Sequence, residues 1–267
     1  MAVRFLSFGK CSFIFRSFLC NVNGGMSFSH CLPYGSSESL RFMVSLPFYV
    51  YGVFTAAVMF TAFMLLYSVR FDRRWVLAIA GWIMLQTGLG LSGFYTDFSS
   101  VPPRFLLMVA PPVILIAVGT LTAKGRKALD AMNERSLLML HTVRVPVEFC
   151  LLWLWQTGMV PQVMTFEGRN FDIICGLTAP VVFYLVYVRK VAGAKTMLLW
   201  NAGCLLLLAN IVIHAVLAAP TPFQRIAFDM PNVAIGYFPF NLLPAFLVPA
   251  VLLSHVVSLR SIMKARS

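Results

Sequence analysis

Long uncharged runs dominate the chain from residue 43 onward, and short polar loops separate them. The runs cover about residues 46–69, 75–95, 105–123, 137–159, 173–188, 197–219 and 237–259. A helix needs roughly 20 apolar residues to cross a bilayer core. The fifth run is the shortest, and we expect residues 170–172 to form its outer turn. The pattern predicts an all-α, polytopic membrane protein with seven transmembrane helices.

The charges of the loops predict how these helices are oriented. Alternate loops hold most of the basic residues: Arg70, Arg73, Arg74, Lys124, Arg126, Lys127, Arg135, Arg189, Lys190, Lys195, Arg260, Lys264 and Arg266. The opposite loops hold only Arg104, Arg169 and Arg225. Cytoplasmic loops carry an excess of Lys and Arg, so the first set is expected inside. The domain would then begin outside the cell, and its C-terminus would be cytoplasmic.

Residues 1–42 differ from the remainder of the chain. They are rich in Phe, Ser and Cys, they are basic, and they contain no acidic residue before Glu38. Lys10 and Arg16 interrupt any apolar core of a signal peptide. We expect this segment to be a disordered tail or an overlong gene start, with the transmembrane domain covering residues 43–267.

Composition narrows the class of protein and its partners. Hydrophobic residues make up 60% of the 267 residues and charged residues 11%, which excludes an ordinary soluble domain. The excess of basic over acidic residues fits cytoplasmic helix ends, so it predicts a lipid bilayer as partner and no nucleic acid. Cys150, Cys175 and Cys204 fall inside apolar runs, where cysteine behaves as a small hydrophobic residue.

The fourth run contains three side chains that hydrocarbon tolerates poorly. His141, Arg144 and Glu148 fall within an arc of roughly 60° on one helix face. Arg144 and Glu148 are four residues apart and can form an ion pair, which would be either a structural contact or part of a proton or substrate site. Asn210 and His214 share a face of the sixth run and extend this predicted intramembrane polar site.

Two histidines are predicted to lie at similar depth. His141 and His255 both lie near the cytoplasmic ends of their helices. Such a pair can ligate a b-type haem axially or share a metal ion. The alternative is a pair of histidines held in hydrogen bonds.

The loops predicted to lie outside are rich in charged side chains. They contain Glu167, Arg169, Asp172, Arg225 and Asp229. These residues would form either a closed salt-bridge cap or the lining of an outer vestibule.

Several functional classes lack their sequence signature. The chain contains no Walker A, G-x-S-x-G or H-E-x-x-H pattern, so no catalytic motif supports an enzyme. The seventh run has no lysine for a retinal Schiff base, because Lys264 follows its end.

Three stretches carry a resemblance to a known family: HTVRVPVE (141–148), MTFEGRNFDIICGLTAP (164–180) and FDMPNVAIGYFPFNLLPAFLVPAVLLSHVVSLR (228–260). From residue 43 onward the chain resembles a family of uncharacterised multi-pass membrane proteins from bacteria. The resemblance implies a location in the inner (plasma) membrane and supplies no activity.

Three functional hypotheses follow from these features. The first is a transporter-like or proton-linked protein for a small solute or proton, in which Glu148 exchanges protons. The second is a haem-binding electron-transfer protein that uses His141 and His255. The third is a structural or sensory membrane module.

Overall fold

The computed structural model describes residues 46–264, so the predicted tail at residues 1–42 lies outside the described residues. Within that range the chain is all-α and contains no strand. The α-helices are α1 (Phe48–Ser68), α2 (Arg73–Leu91), α3 (Leu106–Leu121), α4 (Ala123–Asp130), α5 (Glu134–Leu140), α6 (Arg144–Gln156), α7 (Ile173–Phe183), α8 (Ala194–Ala218) and α9 (Val248–Lys264).

Short segments of other helical geometry join or extend these α-helices. A 3₁₀ turn at His141–Val143 connects α5 to α6, so Glu134–Gln156 forms one long helical segment. A π-helical turn at Tyr184–Val188 extends α7, and another at Leu243–Leu247 precedes α9. The last helical segment thus begins later than the predicted run at 237–259. Pro239 and Pro244 lack a backbone N–H, which disfavours a regular α-helix there.

Five of these helical segments are long and apolar enough to cross a membrane: Phe48–Ser68, Arg73–Leu91, Glu134–Gln156, Ala194–Ala218 and Leu243–Lys264. A sixth candidate arises if α3 and α4, which meet at a bend of 98°, count as one broken span. Ile173–Val188 is apolar but shorter. The described residues therefore support five to six spanning helices, while the count of seven and the orientation stay predictions.

Two helical segments form the centre of the molecule. In both Glu134–Gln156 and Leu243–Lys264, 56% of the residues in the apolar stretch are buried, against 17% in Arg73–Leu91. The outer face of α2 instead exposes large apolar side chains such as Leu77 and Met84. Arg144 and Glu148, in the first of these segments, are therefore enclosed by protein, whereas α2 lies at the periphery.

The central segment α5–α6 contacts neighbours on several sides. Helix α1 packs along α5 and α6, α9 packs against α5 and α8, and α7 packs against the junction of α5 and α6. Gly176 on α7 lies directly against Val145 and the stem of Arg144, where no side chain would fit. This close approach brings the N-terminus of α7 beside the charged residues of α6.

Helix α2 is joined to the segment before α9 by polar contacts. The Trp82 indole donates to the carbonyl of Ala245 at 2.8 Å, and the Asn241 amide donates to the carbonyl of Gln86 at 2.8 Å. The Gln86 side chain accepts from the hydroxyl of Tyr95 at 2.7 Å. These bonds satisfy buried polar groups and fix α2 against the central segments.

Candidate functional site

Arg144 is the centre of a buried polar cluster formed by α6, α7, α8 and α9. Its Nη1 donates to Asp172 Oδ1 at 2.6 Å and to the carbonyl of Cys204 at 3.5 Å. Its Nη2 lies 2.9 Å from His255 Nε2. The side chains of Arg144 and Asp172 are 3% and 9% exposed, so this ion pair is shielded from solvent.

The ion pair of Arg144 is with Asp172 rather than with Glu148. The sequence spacing places Glu148 one helical turn from Arg144, but α7 brings a second carboxylate to the guanidinium. Gly176 allows that approach, because a side chain at this position would overlap α6. Asp172 therefore lies inside the molecule and is part of the cluster.

Glu148 is buried and only partly hydrogen-bonded. Its Oε1 accepts from Asn170 Nδ2, which also donates to the carbonyl of Met164 at 3.1 Å. Its Oε2 has no hydrogen-bond partner, although the residue is only 2% exposed. Asn170 Oδ1 accepts from the backbone N–H of Asp172 at 3.1 Å, so Asn170 connects the two carboxyl residues.

The hydrogen bonds of His255 define its tautomer. A guanidinium can only donate, so His255 Nε2 accepts from Arg144 and must be unprotonated. His255 Nδ1 then carries the proton and donates to Asn201 Oδ1 at 2.8 Å. The imidazole is neutral in this arrangement. It bridges Arg144 and Asn201, and so connects Arg144 to α8.

The chain of hydrogen bonds continues from Asn201 to the opposite end of α5. Asn201 Nδ2 donates to the hydroxyl of Ser258 at 3.0 Å, and Ser258 donates to Glu134 Oε1 at 3.1 Å. Glu134 is partly exposed, and its Oε2 accepts from exposed Ser261 at 2.8 Å. Asp172, Arg144 and Glu134 thus belong to one network that reaches the molecular surface.

His141 lies beside this network but outside it. Its ring is 4.3 Å from that of His255 and 5.1 Å from that of Trp200, between centroids. Ser254 donates to the carbonyl of Leu137 at 2.7 Å, so its oxygen accepts from His141 Nε2 at 2.9 Å. His141 Nδ1 is left without a partner, although the residue is 1% exposed.

The two histidine rings differ in their capacity to bind an iron. An axial ligand presents a free ring nitrogen to the metal, and His255 has both nitrogens engaged while His141 retains only Nδ1. Among the described residues, no group of three or more His, Cys, Asp or Glu side chains is placed to hold a metal ion. The b-type haem and the shared metal ion stay predictions.

Asn210 contacts the segment before α7 rather than Arg144, and His214 contacts the backbone of its own helix, α8. Asn210 Nδ2 donates to the carbonyl of Arg169 at 2.8 Å, and His214 Nδ1 lies 2.8 Å from the carbonyl of Asn210. Arg169 precedes Asn170, the hydrogen-bond donor to Glu148. Polar groups therefore follow one another from Glu148 to the half-buried His214.

The remaining loop charges lie at the molecular surface. Glu167, Arg169, Arg225 and Asp229 are exposed, and within residues 46–264 no ion pair joins them. Of the five residues predicted for the cap, only Asp172 is buried. Both the salt-bridge cap and the outer vestibule stay predictions.

Three further polar residues of the network, and one that contacts His141, have weaker sequence signals. The three are Glu134, Asn201 and Ser258, and the fourth is Ser254. Asn201 lies in the same apolar run as Asn210 and His214, and Ser254 and Ser258 are four residues apart on one face of α9. Such side chains commonly bond across packed helices, but the sequence does not indicate which helices meet.

A family model, described as "Domain of unknown function (DUF8737)", matches residues 102–263. The chain belongs to this family. The matched range contains Glu134, Arg144, Glu148, Asp172 and His255, whereas α1 and α2 precede it. No curated protein and no solved structure matches the chain. Membership in the DUF8737 family therefore assigns the domain without assigning an activity.

Proposed function

We propose that this DUF8737 protein is a multi-pass membrane protein in which Glu148 exchanges a proton, as in a proton-linked transporter. The single observation that carries the proposal is the charge balance of the buried cluster. Two carboxyl residues, Glu148 and Asp172, lie near one guanidinium, and the guanidinium is bonded to Asp172. The inner membrane is the location that the sequence resemblance implies.

An ionised Glu148 would be an uncompensated charge in the interior. Burying an unpaired carboxylate is costly, and ionisable groups in this situation tend to become neutral. With Glu148 neutral, the positive charge of Arg144 balances the negative charge of Asp172. Gaining or losing one proton at Glu148 thus changes the net charge of the whole cluster.

The surroundings of Glu148 favour proton exchange on the side of the segment before α7. Arg144 stays protonated, so it blocks proton transfer along the network toward Glu134. On the other side, Asn170 donates to Glu148, and the neighbouring carbonyl of Arg169 accepts from Asn210, so among the described residues no fixed positive charge lies between Glu148 and this end of the segment. We infer that protons reach Glu148 from this side, while the network from His255 to Glu134 holds Arg144 in position.

The proposal is tested by a pH titration of reconstituted protein followed by infrared difference spectroscopy. A protonated carboxyl group has a carbonyl stretch that shifts in deuterium oxide. We expect a pH-dependent band of this kind in the wild type and its loss in Glu148→Gln. The Glu167→Gln variant is the matched control, because Glu167 is an exposed carboxyl in the neighbouring loop.

Two outcomes would contradict the proposal. One is the absence of a titrating carboxyl band in wild-type protein that is folded. The other is an unchanged band in Glu148→Gln, which would place the titrating group elsewhere. Thermal unfolding of both variants, followed by tryptophan fluorescence, shows whether the substitutions leave the fold intact.

A further inference from the structure

A basic pocket lies between α4 and the end of α9, away from the buried cluster. It has a volume of about 440 Å³. Its polar lining consists of Arg126, Lys127, Asp130, Arg260 and Lys264. None of these residues belongs to the network of Arg144.

The pocket carries an excess of positive charge. Arg260 donates to Asp130 Oδ1 from Nε at 3.0 Å and from Nη2 at 2.8 Å. These hydrogen bonds hold the pKa of Asp130 below its ordinary value, so the carboxylate is ionised at neutral pH. Lys264 Nζ lies 3.8 Å from the other oxygen of the same carboxylate. Four cationic side chains therefore face one negative charge.

The sharp bend between α3 and α4 brings two of the basic residues to the pocket. The Thr122 hydroxyl accepts from the backbone N–H of Gly125 at 3.1 Å and caps the start of α4. Gly125 lies so close to the backbone of Gly119 that no side chain would fit. Arg126 Nη1 donates to the carbonyl of Leu121 at 2.8 Å, which binds α4 to the end of α3.

Exposed apolar side chains lie beside this basic pocket. Leu121 at the end of α3 is 76% exposed, and Met263, next to Lys264 on α9, is 60% exposed. Helix α4 turns away from α3 by 98°, so it runs across the end of the helix bundle rather than along it. This combination of cations and apolar surface matches a phospholipid, with a charged headgroup and acyl chains.

We propose that the pocket binds the phosphate headgroup of an anionic phospholipid. The acyl chains would lie along the exposed apolar side chains of α3 and α9. A free phosphate ion would satisfy the charges but not the apolar surface, so the lipid is the favoured ligand. The inference rests on the membrane placement proposed above and is independent of proton exchange at Glu148.

The test compares lipids retained by the purified protein, using native mass spectrometry after incubation with mixed phosphatidylglycerol and phosphatidylcholine micelles. We expect the wild type to retain phosphatidylglycerol preferentially. The double variant Lys127→Gln/Lys264→Gln should weaken that retention by roughly tenfold or more, because each cation near a lipid surface contributes several-fold to binding. Arg126 and Arg260 are left in place, since their hydrogen bonds hold α4.

The matched control is the double variant Lys190→Gln/Lys195→Gln. It removes the same charge from two exposed positions outside the pocket, Lys190 in the loop before α8 and Lys195 in the first turn of α8. Retention of phosphatidylglycerol should be unchanged in this control. An equal loss in both double variants would overturn the proposal, since general surface charge would then explain the binding.

Two further measurements distinguish a lipid headgroup from free phosphate, and the lipid site from proton exchange at Glu148. Inorganic phosphate should not compete with phosphatidylglycerol at equal concentration, and full displacement would identify a free anion site instead. Glu148→Gln should retain the lipid as the wild type does. If Glu148→Gln loses the carboxyl band but retains phosphatidylglycerol, both proton exchange at Glu148 and the lipid site are supported. If the wild type retains phosphatidylglycerol and phosphatidylcholine equally, the lipid site is overturned and proton exchange at Glu148 is unaffected.

Discussion

Within residues 46–264, two arginine–aspartate pairs join helical segments, and they differ chiefly in exposure. Arg144 and Asp172 are 3% and 9% exposed, and the two side chains are 2.6 Å apart. Arg260 and Asp130 are 20% and 23% exposed, at 2.8 Å. The same chemical pair thus joins helices once in the interior and once near the molecular surface, whereas a third pair, Arg104 and Asp97, lies within the loop between α2 and α3.

The difference in exposure decides what each pair contributes. Solvent compensates either partner of an exposed pair, so such pairs add little to stability. In the interior no solvent replaces a lost partner, and the remaining charge stays uncompensated. Arg144 also donates hydrogen bonds to His255 Nε2 and to the carbonyl of Cys204, which stabilise its buried charge further. The buried pair is therefore the element that constrains the helix arrangement.

The largest effect is expected from Arg144→Met. The substitution keeps an apolar stem but leaves Asp172 buried without its cation, which should destabilise the protein by about 3–5 kcal/mol. Thermal unfolding in detergent, followed by tryptophan fluorescence, measures this loss. Arg169→Met, at an exposed position, is the control and should unfold near the wild-type temperature.

The double variant Arg144→Met/Asp172→Leu separates the charge of the buried pair from its hydrogen bonds. It removes both charges together, so it should recover much of the stability lost in Arg144→Met. A double variant that is as unstable as the single variant would show that the hydrogen bonds of Arg144, rather than its charge, dominate.

An intermediate effect is expected from Ser258→Ala. Asn201 Nδ2 would lose one of its two acceptors, and Glu134 would lose one donor, at a cost of about 1 kcal/mol. Ser261→Ala is the matched control, because Ser261 donates to the same carboxylate from an exposed position. Equal unfolding temperatures for the two variants would mean that the network adds nothing at Ser258.

The smallest effect is expected from Arg260→Met, which removes the exposed pair. The unfolding temperature of this variant should fall less than that of Arg144→Met. The difference in unfolding temperature between Arg260→Met and the wild type should also become smaller in high salt, because exposed charges are screened. Unfolding curves at low and high salt measure both. A loss as large as that of Arg144→Met at either salt concentration would show that the two pairs are equivalent.

Much of the helical framework could be predicted from the pattern of apolar residues. Each predicted run contains a helix in the described structure, because an uninterrupted apolar sequence of that length favours one. The bends between helices were harder to predict from the sequence. The right-angle bend between α3 and α4 depends on Gly119 and Gly125 meeting, and neither glycine alone indicates this contact.

Part of the candidate site could also be predicted from the sequence. His141, Arg144 and Glu148 stood out because charged groups are rare in long apolar runs. The ion pair of Asp172 with Arg144 could not be predicted, since a charged residue in a loop is usually exposed. The same is true of Asn201 and Ser258, whose uncharged side chains are common in helices of every kind.

The all-α class, the approximate positions of the helices and the presence of charges within apolar runs could be read from the sequence. These properties follow from local composition and periodicity, which every segment carries independently of its neighbours. The packing of the helices, in contrast, sets the pairing of Arg144 with Asp172, the unpaired oxygen of Glu148 and the connection from His255 to Glu134. Those contacts join residues far apart in the chain, so they depend on which helix faces pack together.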